Sequence, residues 1–473
     1  MTGTIADFIN LEHLELDTSR DDFNLEERTL LITNMGPGSR TFAAAWRAFG
    51  YKAIAIPTAQ PDSKKFSRKY VTELICTPLM TQVEDIMHAL TNYKENKYGD
   101  DPNKEAAVFI PTAQGPCRFG KYGPLIRIFL DEEKLEGVRI LSPTSTKNYQ
   151  NIELPKKELA KLDVLAFKAM ASSDILHNAL LRTRPYEMEE GASEALFEEG
   201  LKELEEDIEK NKGKGLVKLM EKYAQKLKEL PKKDERYPLI LYDGEIFVRS
   251  HDPSTNHLIK TMEKDFKLES YRAPIIDWIT YINSLRTHEF WQQKKYKKWI
   301  KGKIKGWWMN RQIKKFFKPF KDYLTGRGFH NPAAGIKEIQ KKGIYHVDIE
   351  GESPLIIETA NEFLNLHFKP EEDAYVCGIV FVGPFGCMQN RVAKERVNAL
   401  VLDKRKNAKT VEDKLAPIIY VSYGESEEPG LRDRIAILSK GAYQWKDMMV
   451  RKQKKEKEML IKTLSQPLYS EMG

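Results

Sequence analysis

The stretch Thr112–Gly120 places a cysteine where metal or redox chemistry is favoured. It follows an apolar run, Ala106–Ile110, that predicts a buried strand, and it leads into Phe119–Glu133, which predicts a helix. A Gly-Pro dipeptide bends the chain directly before Cys117. The first N–H groups of a helix stabilise negative charge, so a cysteine at this position is favoured as a thiolate, the form that binds metals.

Two further cysteines have the same predicted position at the start of a helix. Cys387 follows the predicted strand Tyr375–Val382 through a Gly-Pro-Phe-Gly turn, and Cys76 precedes the predicted helix Leu79–Tyr93. One such cysteine carries little information, because buried cysteines are common in protein cores. Three of them favour a shared ligand, and three unrelated core residues are the alternative.

The spacing of these cysteines narrows the kinds of site they can form. Structural zinc sites usually bring cysteines as close pairs, and the sequence contains no Cys-x-x-Cys. A catalytic Cys–His pair needs one cysteine, so it does not explain three in similar positions. Iron–sulfur clusters accept thiolates from distant parts of a chain when the loops converge, which fits the pattern. Three ligands would leave one iron of a [4Fe–4S] cluster open to water or a substrate oxygen.

The fourth cysteine, Cys377, is predicted inside a strand rather than at a helix start. It lies five residues before Val382, or about 16 Å along a strand at roughly 3.3 Å per residue. A cluster held at the Cys387 loop is out of its reach. Cys377 is therefore predicted to be a small buried hydrophobic residue.

Length and composition restrict the class of protein. The chain has 473 residues, 41% of them hydrophobic and 31% charged, as in globular proteins of two to four domains. No apolar run is long enough to span a membrane, and the first residues lack the pattern of a secretory signal. Four cysteines in a chain of this length do not predict a disulfide framework, so we expect a reducing, cytoplasmic location. The net charge of +7 does not by itself predict nucleic-acid binding.

The order of predicted elements is that of an α/β protein. Strands alternate with helices from Thr29 to Leu141, which predicts a doubly wound parallel sheet with ligands at the carboxyl ends of its strands. Further on, strands are predicted at Leu239–Leu241 and Ile246–Arg249, joined by a turn, and a strand-like run is predicted at Tyr345–Asp348.

The predicted organisation follows from these elements and from one Lys-, Glu- and Leu-rich stretch with apolar residues at helical spacing. In chain order it consists of a polar N-terminal extension (1–27), an α/β domain carrying Cys76 and Cys117 (28–150), a helical connector (151–236), a second α/β unit (237–340), a third α/β unit carrying Cys387 (341–450) and a basic, polar tail (451–473).

A segment of the second unit, Trp291–Tyr323, interleaves lysines and arginines with aromatic residues. Six apolar side chains share a broad face at helical spacing, which favours two helices whose rings pack on the core while the lysines face water. Docking on an acidic protein partner is the second interpretation, and binding to nucleic acid or a membrane surface is the least favoured. The six residues are Trp291, Trp299, Ile304, Trp308, Ile313 and Phe317.

The segment Phe109–Tyr122 resembles the signature of the family of 2-hydroxyacyl-CoA dehydratase and benzoyl-CoA reductase subunits. It is most similar to the dehydratase-activase-related branch, whose clusters are double-cubane-like. Four further stretches resemble the same family, and the resemblance covers most of residues 28–440. These are Lys69–Pro78, Gly244–Asn256, Gly378–Met388 and Ile418–Arg434.

The resemblance implies two to three Rossmann-like parallel-sheet domains, joined by a helical connector and gathered around a [4Fe–4S] cluster or a linked pair of clusters. It implies that Cys76, Cys117 and Cys387 are the ligands. It also implies a separate ATP-dependent activase that supplies low-potential electrons for a reductive reaction on an acyl-CoA-like substrate. The resemblance leaves both a homodimer and a heterodimer open.

Arg118 follows the central cysteine and is the candidate catalytic residue. Its guanidinium can pair with an anionic substrate or with cluster charge, because arginine forms paired hydrogen bonds to anions. A salt-bridging helix residue is the alternative role.

The sequence departs from the family pattern beside two of the cysteines. The family's first motif has Glu-Cys-Tyr-Pro where this chain has Ile75-Cys-Thr-Pro78, and its third continues Met-Pro-Glu where this chain has Met388-Gln-Asn390. The missing acid and aromatic residues change the expected polar surroundings of a cluster. They favour an alternative function, a non-catalytic electron-relay or scaffold subunit that docks on a partner through Trp291–Tyr323.

Overall fold

The computed structural model describes residues 24–59, 65–71, 75–113, 117–147, 149, 152, 154–324, 330–346, 348–365, 376–407, 417–424 and 428–464. Within them the chain forms two four-stranded parallel sheets, and most of the remaining residues are helical. This is the predicted α/β class, and the two sheets are consistent with Rossmann-like domains. No helix of the described ranges is long and apolar enough to cross a membrane.

The first sheet is formed by the N-terminal part of the chain. Its elements are β1 (Thr29–Ile32), α1 (Pro37–Arg47), β2 (Lys52–Ala55), α2 (Lys65–Tyr70), α3 (Thr77–Thr91), α4 (Pro102–Glu105), β3 (Ala106–Phe109), α5 (Tyr122–Glu132) and β4 (Arg139–Leu141). The strand order is β2-β1-β3-β4, and every pair is parallel. The central strands β1 and β3 are short apolar runs because helices cover both faces of the sheet.

Three long helices then connect the two sheets: α6 (Lys156–Thr183), α7 (Ala192–Asn211) and α8 (Leu216–Glu229). Their apolar residues, among them Leu162, Leu201 and Leu204, pack into the same core as α1. The predicted helical stretch is therefore present, and its buried stripe lies at the three-to-four spacing of an amphipathic helix.

The second sheet combines residues from both parts of the chain that were predicted as separate units. Its elements are β5 (Leu239–Gly244), α9 (Ile246–Ser250), α10 (Leu258–Phe266), β6 (Glu269–Arg272), α11 (Ile275–Gln292), α12 (Tyr296–Phe317), α13 (Pro332–Lys341), α14 (Ser353–Leu364), β7 (Val376–Pro384), α15 (Met388–Lys406), β8 (Ile418–Tyr423) and α16 (Leu431–Leu464). The strand order is β6-β5-β7-β8, again parallel throughout. Both sheets thus have the same strand order. The order reverses between β1 and β3 in the first sheet and between β5 and β7 in the second, and ligands bind at such switch points.

The prediction of a strand at Ile246–Arg249 is wrong, because this segment forms helix α9. The side chain of Glu245 accepts hydrogen bonds from the N–H groups of Phe247 and Val248, which starts the helix. The predicted turn residue Gly244 instead ends β5, with φ of 128°. A Cβ at Gly244 would lie 1.9 Å from the carbonyl oxygen of Val382, so only glycine allows β5 to approach β7 this closely.

The strand-like run at Tyr345–Asp348 also differs from the prediction. Its described residues are outside regular structure, and Val347 lies outside the described ranges. Tyr345 packs on the core of the second sheet without joining it.

Strand β6 was not predicted, since its sequence Glu-Ser-Tyr-Arg is polar. Its buried charges have partners that only the fold supplies. Glu269 accepts a hydrogen bond from Arg182 at 3.0 Å, and Arg272 donates to the carbonyl oxygen of Ser250 at 3.3 Å. Paired and hydrogen-bonded charges of this kind can be buried, whereas isolated ones cannot.

The basic aromatic segment forms the end of α11 and all of α12. The prediction that its apolar side chains pack on the core is confirmed for Trp308, Ile313 and Phe317. It is wrong for Trp291 and Ile304, which are 52% and 60% exposed. The first half of α12 therefore carries exposed rings.

Gly302 explains why the first half of α12 turns its aromatic side chains away from α11. Asn283 on α11 donates a hydrogen bond to the carbonyl oxygen of Gly302, and a Cβ at Gly302 would lie 2.2 Å from the hydroxyl oxygen of Thr287. α12 thus meets α11 with its small, polar face. The aromatic side chains of this half are left toward solvent, together with the lysines.

Candidate functional site

All three predicted cysteines are the residues that precede helical turns, as expected. Cys76 precedes α3 and Cys387 precedes α15, while Cys117 precedes a 3-10 turn that leads into α5. Burial raises the pKa of all three thiols, against the expected thiolate, and a backbone N–H group near each helix start opposes this rise only in part. The residues that supply these N–H groups are Leu79, Phe119 and Asn390.

The fold brings these cysteines close enough for their thiols to influence one another electrostatically, without clustering them. Cys117 follows β3, Cys387 follows the equivalent strand β7, and Cys117 interacts electrostatically with both Cys76 and Cys387. Among the described residues, no group that includes these cysteines has three ligand atoms within 4.8 Å of one another. The thiols as they lie do not enclose a single ion, so a ligand that joins all three must be larger than one metal ion.

Two hydrogen bonds hold the cysteine loops of different sheets together. Arg118 donates from Nη2 to the carbonyl oxygen of Gly386 at 2.8 Å, and Thr77 donates from Oγ1 to the carbonyl oxygen of Tyr423 at 2.8 Å. Each donor immediately follows a cysteine of the first unit. The contact that the structure gives Arg118 is therefore a backbone carbonyl of the Cys387 loop, which neither of its predicted roles anticipated.

Two glutamates that were not predicted complete the site. Glu245 follows β5, and Glu352 precedes α14, where its Oε1 accepts a hydrogen bond from the N–H of Ile246 at 2.7 Å. Both carboxyl groups interact with Cys117 and Cys387. The position of Glu245 directly after a strand was a usable signal in the sequence, whereas Glu352 had none.

Burial is the largest influence on the pKa values of these five groups, and the nearby cations, Arg118 at Cys76 and Arg249 at the two glutamates, oppose it only in part. Burial raises the pKa of the Cys76 thiol to about 11 and that of Cys117 to about 12, and it also raises the pKa of Cys387. Burial likewise raises the pKa of Glu245 and of Glu352. Burial therefore shifts all five groups toward their uncharged, protonated forms. A cation bound among them would supply the missing positive charge and displace protons.

A largely apolar cavity of about 220 Å³ adjoins the cysteine site. Its wall includes Phe119, two residues after Cys117, and Ile246, next to Glu245. The cavity lies at the carboxyl ends of β1 and β3, the position expected for a ligand in a doubly wound sheet. Other wall residues are Ile32, Phe42, Phe109, Ile275 and Trp278.

Tyr149 belongs to both the cavity and the cysteine site. It lines the cavity and accepts a hydrogen bond from Nε1 of Trp278 at 3.0 Å. Burial raises its pKa to about 12, and Glu352 and Cys117 are among the charges that act on it. Its φ of +59° is an uncommon backbone conformation for a tyrosine and is typical of strained functional segments.

Cys377 is placed elsewhere by the fold. It is the second residue of β7 and is completely buried in the core of the second sheet. The charged groups that act on its thiol are Lys446, Glu269 and Asp447, none of which belongs to the cysteine site. Its predicted place inside a strand is confirmed.

No protein-family model, no curated protein and no solved structure matches the chain. The resemblance of Phe109–Tyr122 and the other stretches to the dehydratase family therefore remains an expectation.

Proposed function

We propose that this chain is an iron–sulfur protein of the 2-hydroxyacyl-CoA dehydratase type. Cys76, Cys117 and Cys387 would hold a [4Fe–4S] cluster or a linked pair, and a separate ATP-dependent activase would supply low-potential electrons in the cytoplasm. The observation that carries the proposal is the position of three cysteines directly before helical turns, with Cys117 linked electrostatically to the other two. The resemblance supports the reaction class.

The donor set fits a cationic cluster better than it fits an empty core. Five buried or half-buried acidic groups act on one another, and the nearby cations are Arg118 at Cys76 and Arg249 at the two glutamates. Deprotonating such a set is costly unless further positive charge is bound within it. Thiolates are the ligands that iron–sulfur clusters require, and three of them leave one iron free to bind oxygen.

When bound, the cluster would supply an electron at low potential and a Lewis-acidic iron. The protein's own groups would do the remaining work. The cavity beside Phe119 would exclude water from the acyl part of a substrate. Glu352, whose pKa burial raises, can hold a proton at neutral pH and deliver it to a departing hydroxyl group.

Glu352 is better placed than Glu245 for this proton transfer. Both oxygens of Glu245 accept hydrogen bonds from the N–H groups that begin α9. Glu352 uses Oε1 in the hydrogen bond from Ile246, and its Oε2 accepts none from a described residue. A carboxyl group with one oxygen fixed and the other available can be oriented and can still transfer a proton.

A second candidate function is a non-catalytic electron relay or scaffold that docks on an acidic partner, and the exposed half of α12 favours it. We call the exposed apolar residues of this region, with the lysines between them, the basic aromatic surface. Large exposed apolar patches with interspersed charge are typical of protein interfaces. Its apolar members are Trp291, Tyr296, Ile300, Ile304 and Trp307.

The deciding experiment is anaerobic purification with iron and acid-labile sulfide counted per chain, and EPR spectra recorded before and after dithionite. We expect about four irons and matching sulfide, or about eight for a linked pair. Cys117→Ala should lose the cluster, and Cys377→Ala is the matched control that should keep it. Well-folded wild-type protein without iron or sulfide would overturn the proposal and leave docking as the stronger function.

A further inference from the structure

A second group of metal-ligating side chains contains no cysteine and lies between α11, α13 and α14. His330 lies two residues before α13, and Glu358 and Glu362 lie one turn apart on α14. One ligand atom from each of the three lies within 4.8 Å of the other two. One imidazole and two carboxylates at this spacing are a donor set for a divalent metal ion.

The histidine is oriented as a ligand would be. Its Nε2 lies 2.8 Å from Oε1 of Glu358 and 3.8 Å from Oε2 of Glu362. Its other ring nitrogen, Nδ1, lies 3.3 Å from Oδ2 of Asp277 on α11. A carboxylate at Nδ1 fixes the ring and the tautomer and leaves Nε2 to face a metal, which is the usual arrangement of metal-binding histidines.

Three atoms of His330 and Glu358 lack hydrogen-bond partners among the described residues. Glu358 is 0% exposed, and neither of its carboxylate oxygens has a hydrogen-bond partner among the described residues. The same holds for Nε2 of His330, whose close approach to Glu358 does not have hydrogen-bond geometry. A buried carboxylate with a single ionic neighbour and no hydrogen bond is poorly compensated for the water it has lost. An ion between the side chains would be the missing partner of both.

The surroundings provide room for an ion. Glu358 and His330 line a cavity of about 40 Å³, which is enough for an ion with a bound water molecule. Gly335 on α13 backs the site, because a Cβ there would lie 2.2 Å from Oε2 of Glu358. A larger residue at this position would push the carboxylate out of place.

We propose that His330, Glu358 and Glu362 bind a divalent first-row transition-metal ion, with Asp277 orienting the imidazole. Imidazole and carboxylate ligands suit Mn²⁺, Fe²⁺ or Zn²⁺. The ion would tie His330, which precedes α13, to helix α14. Glu352 of the cysteine site is the residue directly before α14. The proposal does not depend on the cysteines binding iron.

The test uses Mn²⁺ as the probe, because it prefers oxygen and nitrogen ligands and avoids thiolates. Chelator-treated full-length chain is titrated with Mn²⁺, and the room-temperature EPR signal of free Mn²⁺ is measured. We expect one Mn²⁺ bound per chain and a rise in melting temperature on binding. Glu358→Gln and Glu362→Gln should each weaken binding at least about tenfold.

Matched variants show whether Mn²⁺ binds at this group or at the cysteine site. Cys117→Ala should bind Mn²⁺ as the wild type does, whereas Gly335→Ala should bind it more weakly without the loss of any ligand. Glu362 is only partly buried, so its variant tests the site even where Glu358→Gln fails to fold. Folded wild-type chain that binds no Mn²⁺, or Glu362→Gln that binds it unchanged, would show that the group is only a buried ion pair.

Discussion

Arg118 donates a hydrogen bond to the carbonyl oxygen of Gly386 at 2.8 Å, and so joins the residue after Cys117 to the residue before Cys387. Together with the hydrogen bond from Thr77 to Tyr423, this contact joins the two sheets beside their cysteines. It gives an arginine predicted to bind an anion a positioning role, because it fixes the distance between two loops that otherwise belong to separate units.

Replacing this arginine should loosen the cysteine site. We expect Arg118→Ala to lose about 1.5–3 kcal/mol of local stability, the usual value of a hydrogen bond from a charged donor. Iron bound per chain should fall, and Cys387 should react faster with a thiol reagent. Arg118→Lys should recover part of both properties, since lysine keeps the charge but not the fork. Unchanged thiol reactivity in Arg118→Ala would exclude the bridging role.

Glu352→Gln should separate cluster binding from chemistry. Glutamine keeps an oxygen that can accept the hydrogen bond from Ile246, so the fold and the iron content should persist. Turnover of a 2-hydroxyacyl-CoA with an activase present should fall by about 10²–10⁴-fold, the usual contribution of a general acid. Equal loss of iron and activity would instead make Glu352 a structural or ligand residue.

Asp85 should make stability depend on pH. It is 1% exposed, it accepts a hydrogen bond from the N–H of Ala59 at 2.8 Å, and burial raises its pKa to about 7. The pKa of Asp85 is higher in the folded protein than in the unfolded chain, so folding favours the neutral carboxyl. The resulting stabilisation is fully present below about pH 4 and is lost as the pH rises through about 7. The loss is about 4 kcal/mol at most.

Urea unfolding between pH 5 and pH 8 tests this directly. Asp85→Asn keeps an acceptor for Ala59 and removes the charge, so it should be more stable than the wild type at pH 8 and vary less with pH. Glu136→Gln, at an exposed acid, is the control and should leave the wild-type profile unchanged. Parallel profiles for wild type and Asp85→Asn would contradict the expectation.

Substitution of two adjacent tryptophans in α12 can separate a role in partner docking from a role in core packing. Trp307 is 61% exposed, whereas the ring of Trp308 lies 5.6 Å from that of Phe167 in the core. Trp307→Ala should leave stability unchanged and weaken binding to an acidic partner such as an activase. Trp308→Ala should lower the free energy of unfolding by about 2 kcal/mol through lost packing.

Calorimetry of unfolding and surface plasmon resonance with the partner, at several salt concentrations, would measure both effects. Binding through the lysines should weaken as salt rises. A loss of stability in Trp307→Ala would contradict the docking role of the basic aromatic surface. Partner binding that is unaffected by salt and by Trp307→Ala would also contradict it.

Local sequence determined the position of each cysteine along its own element. Short apolar runs such as Ala106–Phe109 form buried strands, and a turn followed by a helix puts Cys117 or Cys387 at the first N–H groups. These features depend on neighbours a few residues away, so periodicity and turn residues reveal them. The same logic failed for Ile246–Arg249, where β-branched residues suggested a strand and the cap from Glu245 made a helix.

Only the tertiary structure decided which of these residues meet. Glu352 interacts electrostatically with Cys117 and Cys387, which are distant from it in the chain. His330 likewise meets Glu358 although no sequence motif links them. The exposure of Trp307 beside the packed Trp308 likewise depends on which face α12 turns to α11. Sheet order and helix packing determine long-range contacts of this kind. They depend on the whole fold, so the residues next to each position in the sequence do not reveal them.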